Sequence, residues 1–188
     1  MYSMEEIHYS LQGKLSPTRY EHTLGVEYTC CALAMCYGAD MNQARTAGLL
    51  HDCAKHYSGK KLIEKCEQYG LPVNQYEEAF PELLHAKVGA YLAKNKYGIE
   101  DEEILAAIDC HTTGKPGMTL LEKIVYIADY IEPNRDRAPH LTEIRELAFQ
   151  DLDACLIRIL SGTLTYLEAN GSVIDPQTKA TYEYYQKR

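Results

Sequence analysis

The feature that most constrains the fold of this 188-residue chain is a succession of helix start and stop signals with no strand signal between them. Ser3 with Glu6, Asp40 with Gln43, Asn74 with Glu77, and Thr119 with Glu122 carry the three-residue spacing of a capping box or its Asp and Asn variants. In such a box a side-chain oxygen takes the orphan amides of a first helical turn. Ser16-Pro17 and Asp175-Pro176 put proline at the first helical position, where its missing amide costs nothing. Gly38, Gly70, Gly98 and Gly171 follow apolar segments, as helix-ending glycines do. Between these marks apolar residues recur at helical spacing, as in Leu24, Tyr28, Cys31 and Met35, or Leu120, Ile124, Ile127 and Ile131. No segment alternates with a period of two between hairpin turns. The expectation is all-α: one helical bundle of about eight to ten helices over residues 1–188. Its main irregular stretches are "HTTGKPGMT" (111–119) and "PNRDRAPH" (133–140).

Composition narrows the function. A net charge of −8 argues against a general nucleic-acid binder, because such proteins use basic patches to release counterions from phosphates. A small anionic substrate is compatible with that charge if cations gather locally. The N-terminal "MYSMEEIHYS" lacks a basic region followed by an apolar run, and no stretch approaches eighteen uncharged apolar residues. The expected location is the cytoplasm, with no membrane partner. Seven cysteines, an odd number with no Cys-x-x-Cys pair, suggest neither a disulfide framework nor a cysteine zinc site. They read as small buried hydrophobes in a reducing compartment. Sixteen tyrosines are scattered through the helices and read as core or rim residues rather than a stacking surface.

Four of the seven histidines sit within or at the end of apolar helical segments: His22 in "RYEHTLGV", His51 in "AGLLHDCAK", His85 in "ELLHAKVGA" and His111 in "AAIDCHTTG". A buried histidine needs both ring nitrogens satisfied, and binding a metal through one while donating from the other achieves this. Asp129 in "KIVYIADYIEP" adds a carboxylate that would cost several kcal/mol to bury uncompensated. A divalent cation would offset that. Imidazoles with carboxylates suit iron, manganese or zinc rather than calcium. Adjacent helical residues point about 100 degrees apart, so His51 and Asp52 share one ion only near a helix end. Taken singly each residue has a structural explanation; taken together they would need five separate ones. His8, His56 and His140 read as surface or loop residues.

In the order His22, His51-Asp52, Asp129, these residues resemble the HD-domain metal-dependent phosphohydrolases. More narrowly, "RYEHTLGV", "AGLLHDCAK", "HAKVGAYLA", "DEEILAAIDCHTTGKPGMTLLEKIVYIADYIEPNR" and "IRELAFQDLDACL" look like the bacterial symmetrical bis(5′-nucleosyl)-tetraphosphatases. The resemblance implies a single HD domain, with the metal-site region at about 16–135 and C-terminal helices over 142–188. It implies hydrolysis of diadenosine tetraphosphate, or a related dinucleoside polyphosphate, to two nucleoside diphosphates. The implied cofactor is one or two divalent ions, iron foremost, with manganese and zinc as alternatives.

Matching positions give His22, His51, Asp52 and Asp129 as ligands of a first ion. Asp52, His85 and His111 are the expected catalytic set; the two histidines either bind a second ion bridged by Asp52 or contact phosphate directly. The cations adjacent to these residues are Arg19, Lys55, Lys87, Lys115 and Arg135, of which Lys55 and Arg135 are preferred for phosphate. Thr112 beside His111 suits a phosphate, and Ser172, Val173 and Ile174 in "NGSVIDPQT" are expected near a nucleoside. Other HD-type nucleotide hydrolases, a di-iron oxygenase and a non-catalytic nucleotide-binding protein are the alternatives, and a homodimer is left open.

Overall fold

In a computed structural model the described residues, 2–187, form eleven α-helices and one short 3-10 turn, with no strand among them. The helices are α1 (Met4–Gln12), α2 (Pro17–Tyr37), α3 (Met41–Leu50), α4 (Gly59–Tyr69), α5 (Gln75–Ala79) and α6 (Leu84–Asn95). They continue as α7 (Glu102–Cys110), α8 (Leu120–Ile131), α9 (Leu141–Ala148), α10 (Leu152–Ala169) and α11 (Pro176–Gln186). The count slightly exceeds the expectation because some helices start without a capping side chain. α6 runs straight on from the 3-10 turn Pro81–Leu83, and α9 opens from His140 in the left-handed region.

The signals that sequence does offer act as expected. Ser3, Asn74 and Thr119 each form a reciprocal capping box, and Ser16 and Asp175 cap helices that open on proline. Gly38 and Gly70 end α2 and α4 with φ of 72° and 67°, a conformation that costs a side-chain-bearing residue about 1 kcal/mol or more. Asp40 departs from the pattern: it caps α3, but Gln43 does not reach back. Gln43 Nε2 instead donates to Asp101 Oδ2 at 2.8 Å, tying α3 to the cap of α7.

The apolar stripe Leu24, Tyr28, Cys31 and Met35 does not mark the buried face of α2. Tyr28 and Met35 are exposed at 62% and 69%, while Val26, Glu27, Cys30, Leu33 and Ala34 are buried. α2 is apolar around most of its circumference, so spacing alone could not select its inward face.

α2 lies along α3, and α8 packs against α2, α3 and α7, while α6 packs on α7. Leu33, Leu49, Leu50, Ile108, Ile124 and Ile127 fill the space between these helices with side chains essentially shielded from solvent. Gly48 sets the closeness of α2 and α3: a Cβ there would lie 2.9 Å from Cys30 Sγ and 3.1 Å from the Glu27 Cα. α10 covers α8, and α11 pins the 111–119 loop through Gln177 Nε2 donating to Gly114 O at 3.0 Å and Thr181 Oγ1 donating to Thr113 O at 3.3 Å. Among the described residues no helix is long and apolar enough to cross a membrane.

Two helix-interior glycines should therefore respond oppositely to one extra methyl group. Gly48→Ala gains up to about 1 kcal/mol of helix propensity but meets Cys30, and overpacking of this kind costs roughly 1–3 kcal/mol. A Cβ at Gly162 in α10 meets nothing within 4 Å. Urea denaturation is expected to show a net loss of stability for Gly48→Ala and a gain of up to about 1 kcal/mol for Gly162→Ala.

Candidate metal centre

The groups singled out in the sequence lie almost entirely at helix ends. α3 stops at Leu50, so His51 is its C-terminal cap and Asp52 falls in the turn that follows. His111 caps α7, His85 stands in the first turn of α6, and Asp129 in the last turn of α8. His22 comes from the second turn of α2. The backbone turn after Leu50 brings His51 and Asp52 to one centre although they are neighbours in sequence.

The last carbonyls of a helix have no partner within it, and His51 and His111 each take one; His85, at a helix start, reaches a carbonyl of the preceding 3-10 turn. His51 Nδ1 lies 2.7 Å from Gly48 O and His111 Nδ1 lies 2.7 Å from Ile108 O. His85 Nδ1 makes the same contact with Glu82 O. A carbonyl only accepts, so each Nδ1 carries the proton and each Nε2 of the neutral ring presents a lone pair inward. His22 does the same with a carboxylate, its Nδ1 donating to Glu132 Oε1 at 3.2 Å.

Those four lone pairs converge. His22 Nε2 and His51 Nε2 are 3.3 Å apart, and His85 Nε2 and His111 Nε2 are 3.1 Å apart. Asp52 stands between the pairs. Its Oδ1 lies 3.2 Å from His85 Nε2 and 3.7 Å from His111 Nε2, while its Oδ2 lies 3.6 Å from His51 Nε2 and 3.8 Å from His22 Nε2. Asp129 Oδ1 joins the first pair, at 3.1 Å from His22 Nε2 and 4.0 Å from His51 Nε2. Two donors on one transition metal, each bonded at about 2.0–2.2 Å, stand roughly 3 Å apart. Lone pairs and carboxylate oxygens so placed need positive charge between them, from shared protons or from a cation, and the imidazole–carboxylate set fits a divalent metal.

The electrostatics agree. Burial opposes ionisation of Asp52, yet the surrounding His51, His111 and His85 outweigh it and hold the carboxyl well below the usual carboxylate range. Burial likewise opposes ionisation of Asp129, and His22, His51 and His111 overcome it. Burial is also the main force pulling His85 below its ordinary value, which favours the neutral ring. For His22 burial is outweighed by Asp129, Asp52 and Glu132, which raise it.

Three cations ring the centre. Arg19 Nη1 donates to Asp52 Oδ2 at 2.9 Å, and Arg135 Nη2 donates to Asp129 O at 2.8 Å. Lys55 Nζ sits 3.2 Å from His85 Nε2, its ammonium pulled below the usual value chiefly by burial, against the attraction of Asp52. Thr112 Oγ1 lies 3.3 Å from His111 Nε2 and 3.4 Å from His85 Nε2. The other two expected cations are engaged elsewhere: Lys87 pairs with Glu77 at 2.7 Å and Lys115 with Glu122 at 2.6 Å. Ser172, Val173 and Ile174 lie in the turn between α10 and α11, where the Ser172 amide donates to Leu167 O, and none of them lines the cavity beside the centre.

The HD-domain family profile matches residues 19–134, which span every histidine and carboxylate of the centre. The chain belongs to the HD-domain family. Among the relatives of this HD protein, a Bacillus subtilis protein named symmetrical bis(5′-nucleosyl)-tetraphosphatase is 41% identical over 96% of both chains. A Halalkalibacterium halodurans protein of the same name is 43% identical over 89% of both. A solved structure from Clostridium acetobutylicum, named as a predicted HD superfamily hydrolase involved in NAD metabolism, superposes with a TM-score of 0.97. It is 41% identical, over 100% of this chain and 99% of that one.

Sequence reasoning on the HD protein missed two supporting residues. Glu132, only 2% exposed, orients His22 and also accepts from the Asn134 amide at 2.7 Å. Its spacing of three from Asp129 on α8 was the available signal. Gly25 makes room for it, since a Cβ there would fall 2.3 Å from Glu132 Oε2. Arg145 of α9 clamps the following loop, donating to Ile131 O at 2.9 Å, Glu132 O at 2.7 Å and Arg135 O at 2.9 Å. His8 is not a plain surface residue: half-buried, it lies 3.2 Å from both Tyr20 Oη and Glu27 Oε1. His56 is half-buried as well, with a buried Nδ1 that finds no partner among the described residues, whereas His140 is exposed.

Because Glu132 fixes the ring of His22, Glu132→Ala is expected to weaken metal binding about 10–100-fold, and Glu132→Gln, which keeps an acceptor, by less. Metal titration at matched circular dichroism checks both.

Proposed function

We propose that this protein is a metal-dependent hydrolase that cuts diadenosine tetraphosphate, or a related dinucleoside tetraphosphate, at its middle anhydride to give two nucleoside diphosphates. The observation that carries this reading is the pair of histidine sets facing opposite oxygens of Asp52. The names of the full-length relatives supply the substrate class. In this reading His22, His51, Asp52 and Asp129 hold one divalent ion. The second face of Asp52, with His85 and His111, supports a second ion more readily than a direct phosphate contact, because two bare Nε2 atoms offer an anion no proton. Iron is the proposed metal, with manganese and zinc chemically compatible.

When bound, such a cation lowers the pKa of a water and neutralises phosphate charge. The chain's own residues supply the rest. Asp52 holds the two halves of the centre in register. Arg19, Lys55 and Arg135 are placed to take up phosphate charge around the scissile bond, and Thr112 offers a hydroxyl to a phosphate oxygen. The group that leaves ends in a terminal phosphate with a second pKa of about 6, so charge stabilisation rather than a strong proton donor meets its needs. Water adds to one phosphorus as its bond to the bridging oxygen breaks, and each half departs as a diphosphate. Ser172 to Ile174 are assigned to one nucleoside; Gln177, which anchors the next helix on the loop of Thr112, supports this. We take the whole chain as one working unit. Burial of five of the seven free cysteines supports a cytoplasmic setting.

Chromatography of the products from diadenosine tetraphosphate should show ADP alone; ATP with AMP would rule out symmetrical cleavage. Chelation should remove activity and ferrous iron should restore it under anaerobic conditions, which an oxygenase would not survive. Asp52→Asn is expected to abolish turnover with helicity retained, and full activity in that variant would take Asp52 out of the mechanism.

A further inference from the structure

A cavity of about 580 Å³ opens beside the centre, within the roughly 300–1,000 Å³ typical of small-molecule sites. Its inner wall includes Arg19 and Arg135, which contact Asp52 and Asp129. Its outer wall includes Tyr130, Gly162, Thr163 and Tyr166. The lining thus offers two guanidiniums beside the centre and an aromatic and small face on α10, with Glu21, Glu132 and Asp136 also on its walls, so that a nucleotide finds a place for phosphate and a place for base.

Gly162 is the informative residue. It sits in the interior of the 18-residue helix α10, where glycine costs about 1 kcal/mol relative to alanine. Gly48 and Gly25 are explained by atoms that a Cβ would strike, but at Gly162 nothing lies within 4 Å. No packed neighbour of this chain requires the glycine, and it bares helix backbone to the cavity. One turn on, Tyr166 is 67% exposed, and across the cavity Tyr130 lies under the Arg135 guanidinium, 5.6 Å from ring centre to carbon.

We propose that this cavity is a second nucleoside subsite, the base lying on the bare backbone at Gly162 beside the Tyr166 ring, with its phosphates running to Arg135 and Arg19. The proposal rests on the hydrolase reading above. A substrate cut at its middle has two equal arms, and the centre has two sides. Ser172 to Ile174, assigned above to one nucleoside, do not line this cavity, which leaves it for the second. Aromatic stacking on a base tolerates any nucleobase, so the subsite selects for a nucleoside rather than for adenine.

Gly162→Leu puts a side chain where the base would lie while favouring the helix, and Tyr166→Ala removes the ring. The measurement compares the KM for diadenosine tetraphosphate with the inhibition constant of inorganic tetraphosphate, which has the same phosphates but no nucleoside. Gly162→Leu should raise the KM at least tenfold and Tyr166→Ala about fivefold, both with an inhibition constant within twofold of the parent. An unchanged KM in Gly162→Leu would overturn the proposal. So would an equal rise in both constants, which would put phosphate in the cavity instead of a base. Failure of the hydrolase reading looks different: the unaltered protein would then release no ADP.

Discussion

The interaction on which the centre depends is the bond from a histidine Nδ1 to a carbonyl three residues earlier. It appears at His51, His85 and His111, at the end of one helix, the start of another and the end of a third. At the two helix ends the bond satisfies a backbone oxygen that the helix leaves over, and at all three sites it fixes which ring nitrogen turns inward with its lone pair. His22 lies within a helix whose carbonyls are already engaged, so it needs an outside acceptor, and Glu132 provides one. The same tautomer is thereby reached by two routes.

Helix approach is the second requirement. Gly48 allows α3 to press on α2 and so brings the end of α3 to the level of His22, while Gly25 admits the carboxylate of Glu132. The acidic chain also spends few of its cations here. Arg19, Lys55 and Arg135 surround the centre, whereas Lys87 and Lys115 neutralise Glu77 and Glu122, carboxylates that belong to capping boxes. Those two lysines hold helix starts in place rather than face the centre.

Much of this was legible in the sequence, and the reasons for the remainder are physical. Capping residues and glycines announced most helices because their chemistry is local. α6 and α9 were silent because neither uses a capping side chain. The inward face of α2 was not legible from spacing because apolar residues surround that helix, and its buried side includes Glu27, whose partners His8 and Arg45 come from α1 and α3. Histidines in apolar segments signalled a centre through the cost of burying them. Glu132 did not, since a glutamate before proline looks like an ordinary helix end. Nor does spacing reveal Gly162, whose distinction is the absence of a neighbour in three dimensions.

The Arg145 clamp shows that the working structure extends past the region common to the HD family. A single guanidinium from α9 gathers the carbonyls of Ile131, Glu132 and Arg135, and with them the stretch carrying the orienter of His22 and the partner of Asp129. A fragment trimmed at residue 134 would retain all six inward-facing donors yet release the strap that keeps two of them aimed. The C-terminal third is in this sense a brace for candidate ligands that all precede it, and it begins with Arg135, the cation on Asp129.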